Sequence, residues 1–575
     1  MSNETNTFRN PFLKFKDMIS ILDRCKKNRI IFISILILIG LGIRLFIFPY
    51  DVPLFNDAQG YFWYAIEINI LNNLPYTNII QYENGERGHT ITNNGWPIFL
   101  SLVFKLIDSE NFLDYHNMQR MTSLLFSVVT VIPVYLLCSK FFKKSISLLA
   151  SSLFILEPRL IQNSVLGTPE SLYIFLLSSS LVLFLSNNMK MIYASFVVIA
   201  LFSIVRYEGI LMIVPFSVIF FIRFRKQKKD MAKYLICISV FALILIPVAY
   251  IKSETMGYDG FTSHISAGPE YYQTSIENNS SSLTDFFYSG SYNLFKYLGW
   301  AQLPIFIMFI PVGIFYLFKK IDYKKTLVIL TIFTMLIPAF YAYSREFSDT
   351  KYIYILYPVF CIIAGYSINF FFEKSRRKNL IFCLIIIGVI FSSVLFVEWK
   401  NVDQGHYRET FGILKEISQN PIKVNGDFGT YGGEFTLFHW VNVANSPEFP
   451  TLKKDLPVSN VQVVKQITFA NKKLESGVAS TEDIRTEEYY VQTHTIKDYM
   501  QILEKQNITH LLLDKNNNVR LTSDELRLVL RDIFQNESKY PFLTKEYDSN
   551  EHGYDYQVKL FKIDFDMYKE IENLD

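Results

Sequence analysis

Cysteine is scarce in this chain, and charge is thin. The 575 residues include five cysteines, Cys25, Cys138, Cys237, Cys361 and Cys383. All precede residue 399, so the remainder can form no disulfide, and none has metal-ligand spacing. Asp, Glu, Lys and Arg make up 19% of the chain, against about a quarter in ordinary soluble proteins. The C-terminal part has no basic patch interleaved with aromatics, which removes the usual footprint of a nucleic-acid partner. A small-residue cleavage site after the first apolar run is also missing. Residues 1–29 therefore read as a cytoplasmic segment before an uncleaved anchor.

What is present is apolar. Half the chain is hydrophobic, with 52 Phe and 36 Tyr, and the apolar residues come in blocks. A helix that crosses a bilayer needs ~20 largely apolar residues. Runs near that length recur from Ile30 to Val397 and then stop. Charge divides at the same place. Residues 399–575 hold 21 Lys and Arg against 28 Asp and Glu, leaving 35 against 25 upstream. The expectation is a polytopic α-helical membrane protein with a membrane domain over 30–397. A soluble domain over 398–575 follows it.

Eleven spans fit the runs: 30–48, 119–138, 145–161, 171–186, 191–205, 209–222, 234–251, 299–318, 325–343, 352–372 and 379–397. Alternate loops, "KFFKK", "NNMK", "RFRKQKK", "KKIDYKK" and "EKSRRKN", are basic and so face the cytoplasm. Reading 191–222 as one helix would reverse every later loop, so a hairpin at "RYEG" is expected. "NGWPIFLSLVFKLI" is short and reads as an interfacial helix on the outer face. The tail is then extracytoplasmic on a multi-pass protein of the cell membrane, or of the endoplasmic reticulum if the cell is eukaryotic. Its pattern predicts an α/β domain: a strand in "PIKVNGDFG", helix then strand in "IKDYMQILEKQNITHLLLDKN", a helix in "DELRLVLRDIFQ" and a closing strand in "YQVKLFKIDF". Glycosylation sequons occur at Asn278, Asn279, Asn507 and Asn536.

The polar residues of interest gather on the outer side. Asp57 lies in the first outer loop, Glu170 in the second, within "LGTPESLYIF". Arg206 and Glu208 sit in the hairpin, Arg345 and Lys351 in "SREFSDTKY", and Arg44 and Arg120 near outer helix ends. Each has a structural reading beside a chemical one. Asn56 or Asp57 suits an N-cap for a helix through Ala58–Ile68. Thr168-Pro169-Glu170 suits a helix start, with cap, proline and first-turn acid in order. The arginines can snorkel to headgroups or bind an anion such as a lipid-linked phosphate. His89 in "RGHTITNNGWP" suits a surface loop as well as a ligand.

Taken together, these motifs resemble the GT-C membrane glycosyltransferases, which include protein O-mannosyltransferases, aminoarabinose transferases and, more distantly, oligosaccharyltransferase subunits. The resemblance runs in order through "DAQGYFWYA", "NNGWPIFLSLVFKL", "HNMQRMTSLLF", "ILEPRLIQNS", "LGTPESLYIFL", "SIVRYEGILMIVPF" and "TKYIYILYPVFCIIAGYSI". It implies transfer of a sugar, with inversion, from a polyprenyl phosphate or diphosphate to a protein or lipid acceptor outside the cytoplasm. It implies Asp57 as catalytic base and Glu170 as second acid, the two sharing Mg²⁺ or Mn²⁺ if a metal takes part. Arg206 would bind the donor phosphate first, with Lys351, Arg345 and Arg120 behind it, and Tyr61, His89 and Glu208 would serve the acceptor or a supporting shell. The chain departs from the pattern at Ala58, where a second acid is common, and at Lys351, where arginine is common. The Trp-Trp-Asp-Tyr-Gly signature of oligosaccharyltransferases is absent from the tail, which argues against whole-glycan transfer. A transporter of lipid-linked sugars is the non-enzymatic alternative, but the chain has no internal repeat and its charges avoid the span centres.

Overall fold

The computed structural model describes residues 26–54, 56–71, 79–81, 87–89, 95–107, 109, 112–226, 228–256, 259–262, 283–345, 349–400, 405–417, 424–427, 495–505, 509–515 and 524–572. It has two compact units. The first comprises Met1–Phe48, Asn93–Trp96 and Gln119–Asp403, and the second Pro49–Thr92, Pro97–Met118 and Gln404–Asp575.

The first unit is helical. Seven helices among the described residues are long and apolar enough to cross a membrane: Lys27–Phe46, Leu113–Cys138, Tyr207–Phe224, Met231–Glu254, Tyr323–Ser344, Thr350–Lys374 and Lys378–Trp399. Many of their apolar side chains face outward, as on Leu38, Leu243, Ile337 and Ile387. That is the surface expected of helices whose solvent is lipid. Three more expected spans are shorter apolar helices, Lys144–Ile155, Glu170–Phe184 and Met189–Val205. Their ends fall at Glu157-Pro158, at Gly167 to Pro169, and at Ser186 to Asn188, where Asn188 accepts from Lys190 N. The run expected at 299–318 is not one helix. Leu283–Gln302 ends before Pro304, which has no N–H to continue the ladder, and Ile310–Phe318 restarts with Pro311 in its first turn. The hairpin at "RYEG" is present. Met189–Val205 stops at Arg206, whose backbone is extended, and a 3₁₀ turn over Tyr207–Met212 leads into Ile213–Phe224.

Buried serines are common in this unit, and many satisfy themselves locally. Ser147, Ser151, Ser152 and Ser178 each donate to a carbonyl three or four residues back. Arg44 and Arg120 do not snorkel, because both are fully buried. Arg44 donates to Gly40 O and Ile155 O at 3.1 Å and to Ser127 Oγ at 3.1 Å, so it ties the first span to its neighbours.

In the second unit, Asn56–Leu71 is a helix, and β1 (Ile79–Gln81) pairs antiparallel with β2 (Arg87–His89), placing His89 opposite Ile79. A four-stranded sheet has the order β3 (Val424–Asp427), β4 (His510–Asp514), β6 (Val558–Ile563), β5 (Leu543–Asp548). The β3–β4 pair is parallel and the other two are antiparallel. Ile496–Lys505 and Asp524–Gln535 each bury one stripe, which joins Leu511, Leu513, Phe561 and Ile563 in a single core. Gly405–Ile417 is held by Glu416, which accepts from Tyr547 and Tyr554 at 2.7 and 2.9 Å. The sequons at Asn278, Asn279 and Asn507 lie outside the described residues.

One carboxylate here titrates with folding. Asn536 and Tyr540 donate to Asp532 at 2.6 and 2.8 Å and, with Lys539, hold its carboxyl below the usual range. A depressed carboxyl adds stability above its unfolded value, and that contribution is lost as pH falls through the folded value. Asp532→Asn should therefore lower the thermal midpoint of this unit at neutral pH and leave it unchanged in strong acid. Melting the full-length protein in detergent across pH checks this.

Candidate active site

In the first unit the site is built around a loop, "LGTPES". Gly167 turns the chain at φ 83°, in the left-handed region that favours glycine. Its carbonyl accepts from Trp96 Nε1 at 3.1 Å and from Gln119 Nε2 at 2.8 Å. One residue on, Ser123 Oγ donates to Thr168 O and lies 3.1 Å from Ser171 Oγ. Thr168 does not act as the expected cap. The helix begins at Glu170 with Pro169 before it, and Thr168 Oγ1 is buried without a hydrogen-bond partner. The loop is fixed by neighbouring side chains, so it does not need that cap.

The result is a buried acid. Glu170 is 4% exposed, and its Oε2 has no hydrogen-bond partner. One turn further, Tyr173 is also buried. Its ring stacks on Phe202, its hydroxyl donates to Lys351 O at 3.5 Å, and the Arg206 guanidinium lies 5.5 Å above it.

Arg206 enters from the hairpin. Gly209 makes that turn possible, since a Cβ there would stand 2.7 Å from Ser203 N. Arg206 Nε and Nη2 bind both oxygens of Glu208, at 3.1 and 2.5 Å. The pair lines a small open pocket with Tyr173, Phe202, Pro338 and Tyr352, whose walls are mostly apolar with few polar groups. Lys351 stands beside Tyr352 and pairs with Asp349 at 3.7 Å. Arg345 is exposed at the end of Tyr323–Ser344, over the Tyr341 ring.

The first unit therefore brings Glu170, Arg206, Glu208 and Lys351 together around Tyr173. It places Arg120 in the interior and Arg345 on the surface. Asp57, Tyr61 and His89 belong to the second unit. There Asp57 is exposed in the first turn of Asn56–Leu71, while Ala58 and Tyr61 are buried. The helix start is anchored by Phe62, edge-on to His116 at 4.3 Å, and His116 Nδ1 accepts from Leu54 N. Ala58 thus fills an apolar slot where the family pattern often has an acid. The side chain of His89 lies outside the described residues. Among the described residues no group of three or more His, Cys, Asp or Glu is arranged to hold a metal.

The residues missed in the sequence are Glu157 and Arg159. Both are buried, and they flank Pro158 inside the run expected to span at 145–161. Two ionisable residues in an apolar run were the available signal. Glu157 Oε1 lies 3.5 Å from Tyr357 Oη, and the Arg159 guanidinium sits 4.8 Å from the Phe396 ring centroid.

A family model described as dolichyl-phosphate-mannose-protein mannosyltransferase matches residues 97–251. No curated protein sequence matches the chain. Among solved structures, the chain is similar to the oligosaccharyltransferase of Archaeoglobus fulgidus tethered with an acceptor peptide containing the NVT sequon. The TM-score is 0.53 at 13% identity, covering 86% of this chain and 70% of that one. The same oligosaccharyltransferase with an inhibitory peptide and a dolichol-phosphate aligns at TM-score 0.51 and 12% identity, over 87% and 72% of the two chains. ArnT from Cupriavidus metallidurans in the apo state aligns at TM-score 0.50 and 10% identity, over 92% and 97%. The chain has a GT-C-type membrane fold, as the sequence motifs led us to expect.

The loop geometry makes a direct prediction. Gly167→Ala should destabilise the first unit by about 1–2 kcal/mol, the cost of a Cβ in a left-handed conformation. Gly167→Asn should cost less. Thermal unfolding in detergent reads both.

Proposed function

We propose that this protein is a membrane glycosyltransferase that moves a sugar from a polyprenyl phosphate to a protein or lipid acceptor on the extracytoplasmic face. One observation carries the reading. The segment matched by the mannosyltransferase model, 97–251, contains both the pinned, buried Glu170 and the Arg206–Glu208 wall of the pocket.

In this reading the acceptor hydroxyl attacks the anomeric carbon as the bond to the lipid phosphate breaks, and configuration inverts. The hydroxyl proton passes to Asp57, in the exposed first turn of its helix. The leaving phosphate keeps the bonding pair, and its growing charge is stabilised by fixed cations. Arg206 is first among these, with Lys351, Arg345 and Arg120 behind it. Glu170 orients the acceptor. If Mg²⁺ or Mn²⁺ takes part, as the family resemblance implies, Glu170 and Asp57 would be the carboxylates to hold it, and Glu170 has a buried oxygen to offer. Tyr61, His89 and Glu208 support these groups.

The test is transfer from radiolabelled polyprenyl-phosphate sugars by protein reconstituted in lipid. The acceptor panel includes protein, lipid and a sequon peptide, the last because the A. fulgidus enzyme was captured with one. Wild type should transfer, and Asp57→Asn should lose about 10²–10⁴ of the rate while still binding donor. Loss of activity with EDTA, restored by Mn²⁺, would assign the metal. Donor binding with no transfer to any acceptor would replace the enzyme with a carrier.

A further inference from the structure

A row of exposed apolar residues in the first unit leads down to a cluster of cations. Leu125, Val129, Ile132 and Leu136 stand three or four residues apart on Leu113–Cys138, so they share one face of that helix, and all are exposed. The turn that follows keeps the helical sense. Ser139 N bonds to Tyr135 O and Lys140 N to Leu137 O, which sets Lys140 at the foot of the row, four residues beyond Leu136. From Val129 to Lys140 the row covers about 16 Å, the depth of one leaflet in a hydrocarbon core ~30 Å thick.

Three more cations converge there. Lys144 opens the next helix, Lys144–Ile155. Lys324, in the first turn of Tyr323–Ser344, donates from Nζ to Lys140 O at 3.0 Å. Arg223, near the end of Ile213–Phe224, lies 5.5 Å from the centroid of the Tyr323 ring. It donates to Phe184 O, Ser186 O and Asn187 Oδ1, neutral acceptors that leave its charge in place. All four cations are half-buried, and among the described residues none makes an ion pair within 4.0 Å. The acid nearest to them in sequence, Asp322, is exposed, accepts from Lys325 N and acts on Lys325. The Lys140 ammonium is held below its ordinary range, by partial burial first and then by Lys324, Lys144 and Arg223. Like charges half-withdrawn from water repel, and an anion seated among them relieves the repulsion.

We propose that Lys140, Lys144, Lys324 and Arg223 bind the phosphate of an anionic phospholipid of the cytoplasmic leaflet, whose acyl chains lie along the apolar row above Lys140. Loop charge places this end of the spans at the cytoplasmic surface, where anionic headgroups gather. A zwitterionic headgroup brings its own cation and cannot neutralise the cluster, so the site selects for net negative charge. It lies at the other end of the spans from the Arg206 hairpin, which loop charge places outside. The inference goes beyond the transferase reading and does not depend on it.

The test uses full-length protein in phosphatidylcholine nanodiscs carrying a small fraction of a phospholipid with a diazirine in its acyl chain. That probe is phosphatidylglycerol in one sample and phosphatidylcholine in the other. Wild type should crosslink the phosphatidylglycerol probe preferentially, with labels within residues 125–144. Lys140→Gln/Lys144→Gln should lower the preference about ten- to thirtyfold, since each cation near an anionic headgroup is worth about fivefold. Removing two charges from the exposed loop at the same end, in Arg376→Gln/Arg377→Gln, should leave it unchanged. Equal labelling of wild type by the two probes overturns the proposal. Equal loss in both double variants does so too, because the attraction would then belong to the whole charged face. Loss of the label on adding glycerol phosphate at the probe's concentration overturns the lipid assignment, because a free anion would then suffice. Should the Lys140 variant fail to fold, the wild-type map still decides, and labels confined outside residues 125–144 remove the site.

Discussion

Two hydrogen bonds to one oxygen organise the membrane unit. The carbonyl of Gly167 receives Trp96 Nε1 and Gln119 Nε2, donors that reach it from two separate parts of the chain. In a region with little water, a buried carbonyl and two buried donors must find one another or pay the full desolvation cost. Meeting at one point, they fix the loop before Glu170 without relying on the loop's own side chains. Everything downstream inherits that position: the first turn with Glu170, then Tyr173, then the contacts of Tyr173 with Lys351 and Arg206.

The rest of the unit obeys the same constraint by cheaper means. Serine is frequent in helices that are otherwise apolar, and many of the hydroxyls turn back on their own helix. Such residues add polarity to a sequence without adding a demand on partners. Arg44 is the opposite case, a charge that gathers acceptors from its own helix and two others.

Much of this was legible in the sequence, because hydrophobic length and loop charge are one-dimensional signals. The long spans, the hairpin at Arg206 and the tail elements "DELRLVLRDIFQ" and "YQVKLFKIDF" stand where their patterns put them. The break within 299–318 was less legible, since its apolar content masks two prolines. Caps misled for a local reason. Thr168-Pro169-Glu170 has the right letters, but capping requires the threonine to face free N–H groups, and tertiary bonds turn it away. The partnership of Arg206 with Glu208 could be suspected from their spacing, whereas the packing of Arg159 over the Phe396 ring could not. Sequence records which charges are present, but whether a charge has a counter-ion is a property of three dimensions.

The Arg206–Glu208 pair has a further consequence for discrimination between ligands. Both carboxylate oxygens are engaged by the guanidinium, so an anion that takes hold of the same nitrogens must first evict Glu208. The evicted carboxylate then sits beside the newcomer as a like charge in a poorly solvated place. A weakly charged visitor cannot repay that exchange, and a strongly charged one can. The pocket is therefore guarded by its own anion, and occupancy works as a contest between two acids for one base.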